Sequence, residues 1–417
     1  MLSPSLTRRS PLVCWWRALP VFGLLLILNA LSVAQVQEPG KDDPQRHEAL
    51  ELFDQGKMVD AMPLLEALSA KYPSDIVVRE RWAFATLLYA GTIVDPELRK
   101  KARIRARKIA LEAQKLGDNS PLLQTALEVP EDGSEPVFSN RKEVDEAMKA
   151  AEADFARGDY DKARNGYIRA MLLEPNNYEA ALFTGDVYFK QHVQGSAGEW
   201  FARAVQINPD RETAYRYWGD ALMALGKNEE ARVKFIEAIV AEPYNRSPWQ
   251  GAQKWAHENK AELHLLKLQD KSQVTVKDEG HINLTLDDST LKKKGDPNGV
   301  AWMVYGMSRA GWRGDRFKKE FPNEPQYRHT MKEEADSLDL MVKVLKEQKD
   351  YAKKMKELDP GLLEVIQIDE ARLLEPYVLL NRADTEISRD YPAYRAANRE
   401  KVRAYLDQFV VPKVAAK

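Results

Sequence analysis

The chain has 417 residues, 44% hydrophobic and 30% charged, with 62 basic and 64 acidic side chains. That length holds two or three domains, and the balance excludes wholesale disorder, a collagen-like repeat and a polytopic membrane protein. A net charge of −2 lacks the basic excess of a dedicated nucleic-acid binder, and a single cysteine excludes an intrachain disulfide or a cysteine-built zinc cage.

Residues 1–34 carry no acidic side chain. Arg8, Arg9 and Arg17 form a basic start, an apolar run spans Ala18 to Leu31, and Ser32-Val33-Ala34 supplies small residues. This is the three-part pattern of a secretory signal peptide, with cleavage expected after Ala34 and an uncleaved membrane anchor as the alternative. The apolar run falls short of the roughly 20 residues of a membrane span. Cleavage removes Cys14 and leaves 59 basic and 64 acidic side chains. The expectation is a periplasmic or extracellular protein held together by packing, without disulfides.

The middle of the chain repeats with a period of 34. Windows starting at Val144, Tyr178 and Glu212 (144–177, 178–211 and 212–245) align without gaps. Position 8 reads Ala151, Gly185, Gly219; position 20 reads Ala163, Ala197, Ala231. Position 24 reads Tyr167, Phe201, Phe235; position 27 reads Ala170, Ala204, Ala238; position 32 reads Pro175, Pro209, Pro243. Small residues at 8 and 20 let two helices approach, while the aromatic and Ala on the second helix share one face. Proline at 32 stops that helix. Gly158 and Gly226 suit the turn at position 15, where the middle window has His192 and an irregular turn is expected.

This pattern resembles the tetratricopeptide repeat. A further window from Asp42 keeps the register at Ala49, Gly56, Ala61, Leu65, Leu68 and Pro73. A divergent unit follows from Ile76 to about Ser120, fitting at Ala83 and then carrying an insertion. The organisation expected is an N-terminal repeat-like block (42–120), a linker (121–143), three repeats with a capping helix (144–268), a β-hairpin and polar loop (269–298), and a helical C-terminal domain (299–417). The fold class is all-α: a helical-hairpin solenoid with a mostly helical C-terminal domain carrying a short β-hairpin.

The resemblance implies a superhelix whose concave face is lined by the first helix of each pair, where partners bind as extended peptides or helices. On that implication Asp145 and Glu179 (position 2), Arg216 (position 5), Glu152, Asp186 and Asp220 (position 9), and Phe155, Phe189 and Met223 (position 12) face the groove. A carboxylate row beside an apolar row suits a protein or peptide partner that is basic and partly apolar. Solvated helix faces are the alternative. The basic run Arg99, Lys100, Lys101, Arg103, Arg105, Arg107 and Lys108 reads either as a contact to an anionic envelope or membrane surface, or as the solvated back of a repeat helix.

Past Leu268 the register ends. Val274 and Val276, then Ile282, Leu284 and Leu286, alternate around Asp278-Glu279-Gly280 as in a β-hairpin. Helical patterns follow at about 300–309, 326–358, 361–381 and 393–410. Trp302, Tyr305, Arg309, Trp312 and Arg316 recur at helical spacing, with Gly311 and Gly314 expected to break the helix. Such a stripe docks domains or stacks on a ligand. His329 and Glu333, four apart on one expected helix, could orient an imidazole for proton transfer. Trp302, Arg309, Arg313, His329 and Glu333 are therefore the candidate C-terminal ligand site. The chain has no nucleophile elbow, phosphate loop, dinucleotide fingerprint or zinc-protease spacing. No catalytic residue, cofactor or metal is assigned. The leading reading is an exported interaction or assembly scaffold of the cell envelope. The contrasting one is an envelope enzyme or glycan binder using the C-terminal domain.

Overall fold

The computed structural model describes residues 39–118, 120–276, 282–288 and 295–414. The signal-peptide segment, Asp278-Glu279-Gly280 and part of the polar loop before Gly295 lie outside the described residues.

The first hairpin pairs α1 (Pro44–Asp54) with α2 (Met58–Lys71). The divergent unit pairs α3 (Ile76–Thr92) with α4 (Pro96–Lys115). Its insertion takes the form of longer helices, not an extra loop. Residues 121–143, read as a linker, contain α5 (Pro121–Leu127), whose Leu123 and Ala126 are buried with Ala83, Ile109 and Ala110. Three regular hairpins follow: α6 (Lys142–Ala156) with α7 (Tyr160–Leu173), α8 (Tyr178–Lys190) with α9 (Gln194–Ile207), and α10 (Glu212–Ala224) with α11 (Asn228–Ala241). Next comes α12 (Arg246–Glu258), packed on α10 and α11. Side-chain caps start many of these helices. Asp75 accepts from the Val78 amide, Asp95 from Leu98 and Asn177 from Ala180.

The repeat positions do what their chemistry requires. Ala163, Ala197, Ala231, Tyr167, Phe201, Phe235, Ala170, Ala204 and Ala238 are all fully buried. Glu174, Asn208 and Glu242, each before its repeat proline, leave the helical conformation and end the second helices. The turn at His192 is not irregular. His192 adopts φ 60°, the left-handed conformation of Gly56, Gly158 and Gly226 (φ 72–79°). Its backbone makes the same two closing bonds, His192 N to Phe189 O and Val193 N to Tyr188 O.

After the repeats, β1 (Ser272–Val276) and β2 (Ile282–Leu286) pair antiparallel with Val274 opposite Leu284. Helix α13 (Pro297–Gly311) does not break at its glycines. It continues through a π-helical turn, Trp312–Arg316, into α14 (Phe317–Glu320). The expected helix at 326–358 is in fact α15 (Met331–Lys346), α16 (Tyr351–Lys354) and a short 3-10 turn, Met355–Glu357, with Asp350 left-handed between them. The stretch 361–381 divides at left-handed Arg372 into α17 (Pro360–Glu370) and α18 (Leu374–Tyr377), which runs into a second π turn, Val378–Arg382. A 3-10 turn, Ile387–Asp390, leads to α19 (Tyr391–Tyr405), whose end winds into a third π turn, Leu406–Val410.

The C-terminal domain caps the solenoid. One apolar core runs from Phe235, Ile239 and Trp255 through Trp302, Leu338 and Tyr377 to Tyr405. Arg232, 1% exposed, donates to the carbonyls of Val411 and Pro412 and pairs with Asp407 at 2.6 Å. Tyr391 donates its hydroxyl to Val240 O at 2.6 Å, and Tyr244 donates to Leu379 O at 3.0 Å. Among the described residues no helix is long and apolar enough to cross a membrane.

Candidate functional site

The first helices of the repeats carry the predicted groove residues, and most of their charges are already paired. Asp145 accepts from the Phe138 amide at 2.9 Å and pairs with Lys149 at 2.7 Å. Glu179 pairs with Arg211, Arg216 with Glu212 at 2.9 Å, and Asp220 with Lys254 at 3.1 Å. Glu152 accepts the hydroxyl of Tyr167. The expected row of bare, mutually repelling carboxylates is thus largely neutralised within the array. Asp186 differs: among the described residues it has no hydrogen-bond or ion-pair partner.

Asp186 lines a cavity of about 280 Å³. Phe155, Phe189 and Asp220 share that lining with it, as the sequence placed them. Tyr160 and Tyr217 line it too, and so do Met58, Phe84 and Leu88 from the first two hairpins. Sequence reasoning missed these. Tyr160 starts a second helix, and the N-terminal residues belong to other hairpins, so no single window encodes their meeting. Gly56 shows the closeness: a Cβ there would lie 3.1 Å from the Tyr160 hydroxyl. Asp145, Glu152, Glu179, Arg216 and Met223 do not line the cavity.

Burial pushes the Asp186 carboxyl above its ordinary range, with Lys190 opposing. Burial, with Asp186's charge added, raises the Tyr160 phenol and takes Tyr217 to about 12. Glu152 is pushed up to about 7 by burial, opposed by the Tyr167 hydroxyl and reinforced by Asp186. The recess is therefore acidic and aromatic-walled.

The C-terminal constellation comes together differently. His329 precedes α15 in an extended segment and shares no helix face with Glu333. Thr330 caps the helix, accepting from the Glu333 amide. Glu333 accepts from Arg309 at 3.2 Å and from Tyr327 at 2.8 Å. His329 places Nε2 3.1 Å from Glu334 and Nδ1 2.8 Å from Asp384, with Arg309 Nη2 3.0 Å from Nε2. Glu334 also receives Tyr305 at 2.7 Å and Arg382. Arg313 stands apart, donating to Val274 O at 2.9 Å. Burial and the nearby Arg309 charge lower the His329 pKa, but Glu334 and Asp384 outweigh both, and the net shift is upward. Arg382, His329 and Arg309 hold Glu334 well below the carboxylate range despite its burial. Burial raises Glu333.

These groups fill their own space. Glu333 and Trp312 are 0% exposed, and Glu334 and Trp302 are 1% exposed. The network ties α13, α15 and residues 382–386 together, while Trp302 joins the core of the C-terminal domain and Trp312 is fully buried. Among the described residues no group of three or more His, Cys, Asp or Glu is arranged to hold a metal ion.

The arginines of α4 also have internal partners. Arg103 donates to the carbonyls of Gly133 and Ser134, Arg107 to Leu127 and Val129, and Arg99 pairs with Glu135 at 2.8 Å. They strap the segment after α5 to the divergent unit.

No family model and no curated protein matches the chain. Among solved structures it is similar to the first TPR of Spaghetti (RPAP3), bound to HSP90 peptide SRMEEVD, at 23% identity over 30% of this chain and 100% of that one, with a TM-score of 0.28. It is also similar to the P58(IPK) TPR domain, at 14% identity over 86% of this chain and 96% of that one, with a TM-score of 0.26. The fold is that of an all-α, tetratricopeptide-type helical solenoid closed by a helical C-terminal domain, and it stands on the chain's own repeat packing: small residues at positions 8 and 20 beneath a buried aromatic at position 24.

Proposed function

We propose that this protein is an exported, non-catalytic interaction scaffold that holds an extended, basic and partly apolar segment of a protein partner in its inner groove. The observation that carries the reading is the recess around Asp186. Apolar and aromatic side chains from successive hairpins converge on it, and among the described residues its carboxylate has no hydrogen-bond or ion-pair partner. Apolar side chains supply contact area and the carboxylate supplies sign selectivity. Export rests on the three-part pattern of residues 1–34. Because the α4 arginines are engaged with backbone carbonyls, Glu66 and Glu135, a membrane-surface contact forms no part of the proposal.

Panning a random peptide display library on the purified protein tests the groove. Enrichment of peptides combining Lys or Arg with apolar neighbours, lost on a Phe155→Ser/Phe189→Ser double substitution, is expected. Enrichment of acidic peptides, or equal capture by the double variant, overturns the reading. N-terminal sequencing of the protein from its native host should begin at Gln35.

A further inference from the structure

The geometry points to a lysine pocket: the recess bounded by Phe155, Tyr160, Phe189 and Tyr217 takes the ammonium head of one lysine side chain, with Asp186 as its counter-ion. This deepens the reading above and rests on it for the source of the lysine, an extended segment of a protein partner.

Size comes first. About 280 Å³ lies just below the roughly 300–1,000 Å³ of small-molecule pockets, so the recess suits one long side chain better than a whole metabolite. Its walls come next. Phe155 and Tyr160 meet edge to face with centroids 5.5 Å apart, and Tyr217 meets Phe201 in the same way at 5.8 Å. Aromatic faces attract cations, most strongly where water is thin. Met58 and Leu88 line the same recess and offer apolar surface to a methylene stem.

Charge decides the sign and the head group. A partly buried carboxylate without a partner carries a desolvation cost that a bound cation relieves. Asp220 cannot play this part, because Lys254 holds it. Lys190 also lines the recess and its charge acts on Asp186, but it is exposed and forms no ion pair with that carboxylate among the described residues. Arg216 lies 4.8 Å over the Tyr217 ring but is held by Glu212. The Tyr160 hydroxyl, likewise without a hydrogen-bond partner among the described residues, is close enough to feel the charge of Asp186. An ammonium presents three donors in a compact head and can satisfy one carboxylate and one phenol. A guanidinium is better matched by two free carboxylate oxygens in line with its rigid fork and a flat stacking face. One free carboxylate among tilted rings favours lysine.

The test uses the purified protein with n-butylammonium, and 1-butanol as its neutral counterpart, read by methyl NMR of Met58 and Leu88. Saturable shifts with butylammonium and at least tenfold weaker binding of butanol are expected. Asp186→Asn should weaken butylammonium binding at least tenfold while leaving the fold intact, since it removes an unpaired charge. Equal binding of butanol, or unchanged binding by Asp186→Asn, would show an apolar hole and overturn the proposal. Tighter binding of n-propylguanidinium would overturn the choice of lysine. If butylammonium fails to bind while panned peptides still need Phe155 and Phe189, the lysine pocket falls and the groove reading stands.

Discussion

Gly219 lies directly beneath the ring of Phe235, where a Cβ on the glycine would come within 2.8 Å of the ring carbon Cζ. Gly185 stands in the same relation to Phe201, at 2.6 Å. These pairs join position 8 of the first helix to position 24 of the second, and they set how closely each hairpin closes. The first repeat solves the same problem the other way round. It keeps a methyl at Ala151 and has Gly166 opposite, where an added Cβ would fall 2.7 Å from the Ala151 Cβ.

Gly219→Ala should therefore destabilise the protein by about 1–3 kcal/mol, the usual cost of an extra carbon in a packed core. Trimming the ring in a Gly219→Ala/Phe235→Leu double variant should recover part of that loss. Urea denaturation of the four proteins of the cycle measures it, and strict additivity would show that the two residues do not compete for space.

His192 occupies a left-handed backbone position that three other hairpins give to glycine. A side chain there costs about 1–2 kcal/mol, offset in part by the greater freedom glycine has when unfolded. His192→Gly should gain about 0.5–1 kcal/mol. The reverse change, Gly226→Ala, should lose stability because the methyl meets a φ of 72°. Paired melting curves read both signs.

The ties around His329 make stability depend on pH in two directions. The folded pKa of His329 is raised, so its contribution is complete below about 6.5, the unfolded value, and is lost as pH climbs through the folded value. The folded pKa of Glu334 is depressed, so its contribution is complete above about 4.3 and is lost as pH falls toward the folded value. The combined contribution of His329 and Glu334 should peak between about pH 4.5 and 6.5. His329→Asn should flatten the alkaline limb and leave the acid limb in place. Denaturation midpoints taken from pH 4 to 9 would show it, and an unchanged alkaline limb in the variant would remove His329 from the account.

The repeat region was readable because its rules are local. Position 24 must be aromatic, position 20 small and position 32 a helix stop, and each rule sits within one 34-residue window. The C-terminal domain was less readable for the opposite reason. His329 and Glu333 have helical spacing, yet Thr330 caps α15 between them and only Glu333 is inside the helix. Nothing local signals that Asp384 and Arg382, some fifty residues on, complete the network. Glycines 311 and 314 argued for a break, but burial of Trp312 and Phe317 carries the helix through as a π turn.

The sequence alone determined that helical hairpins stack at a fixed stride, because the small, aromatic and proline positions leave no other way to bury their apolar faces. It also placed Phe155, Asp186, Phe189 and Asp220 on the first helices, where they line one recess. Only the tertiary structure decided which of those are free to act. Neutralisation of Glu179 and Asp220 depends on cations brought from the next hairpin or helix, while the stacking of hairpins brings Met58 and Leu88 to the recess that Asp186 lines. Charge pairing and hairpin stacking are properties of distance in space, and a repeat pattern encodes distance only along the chain.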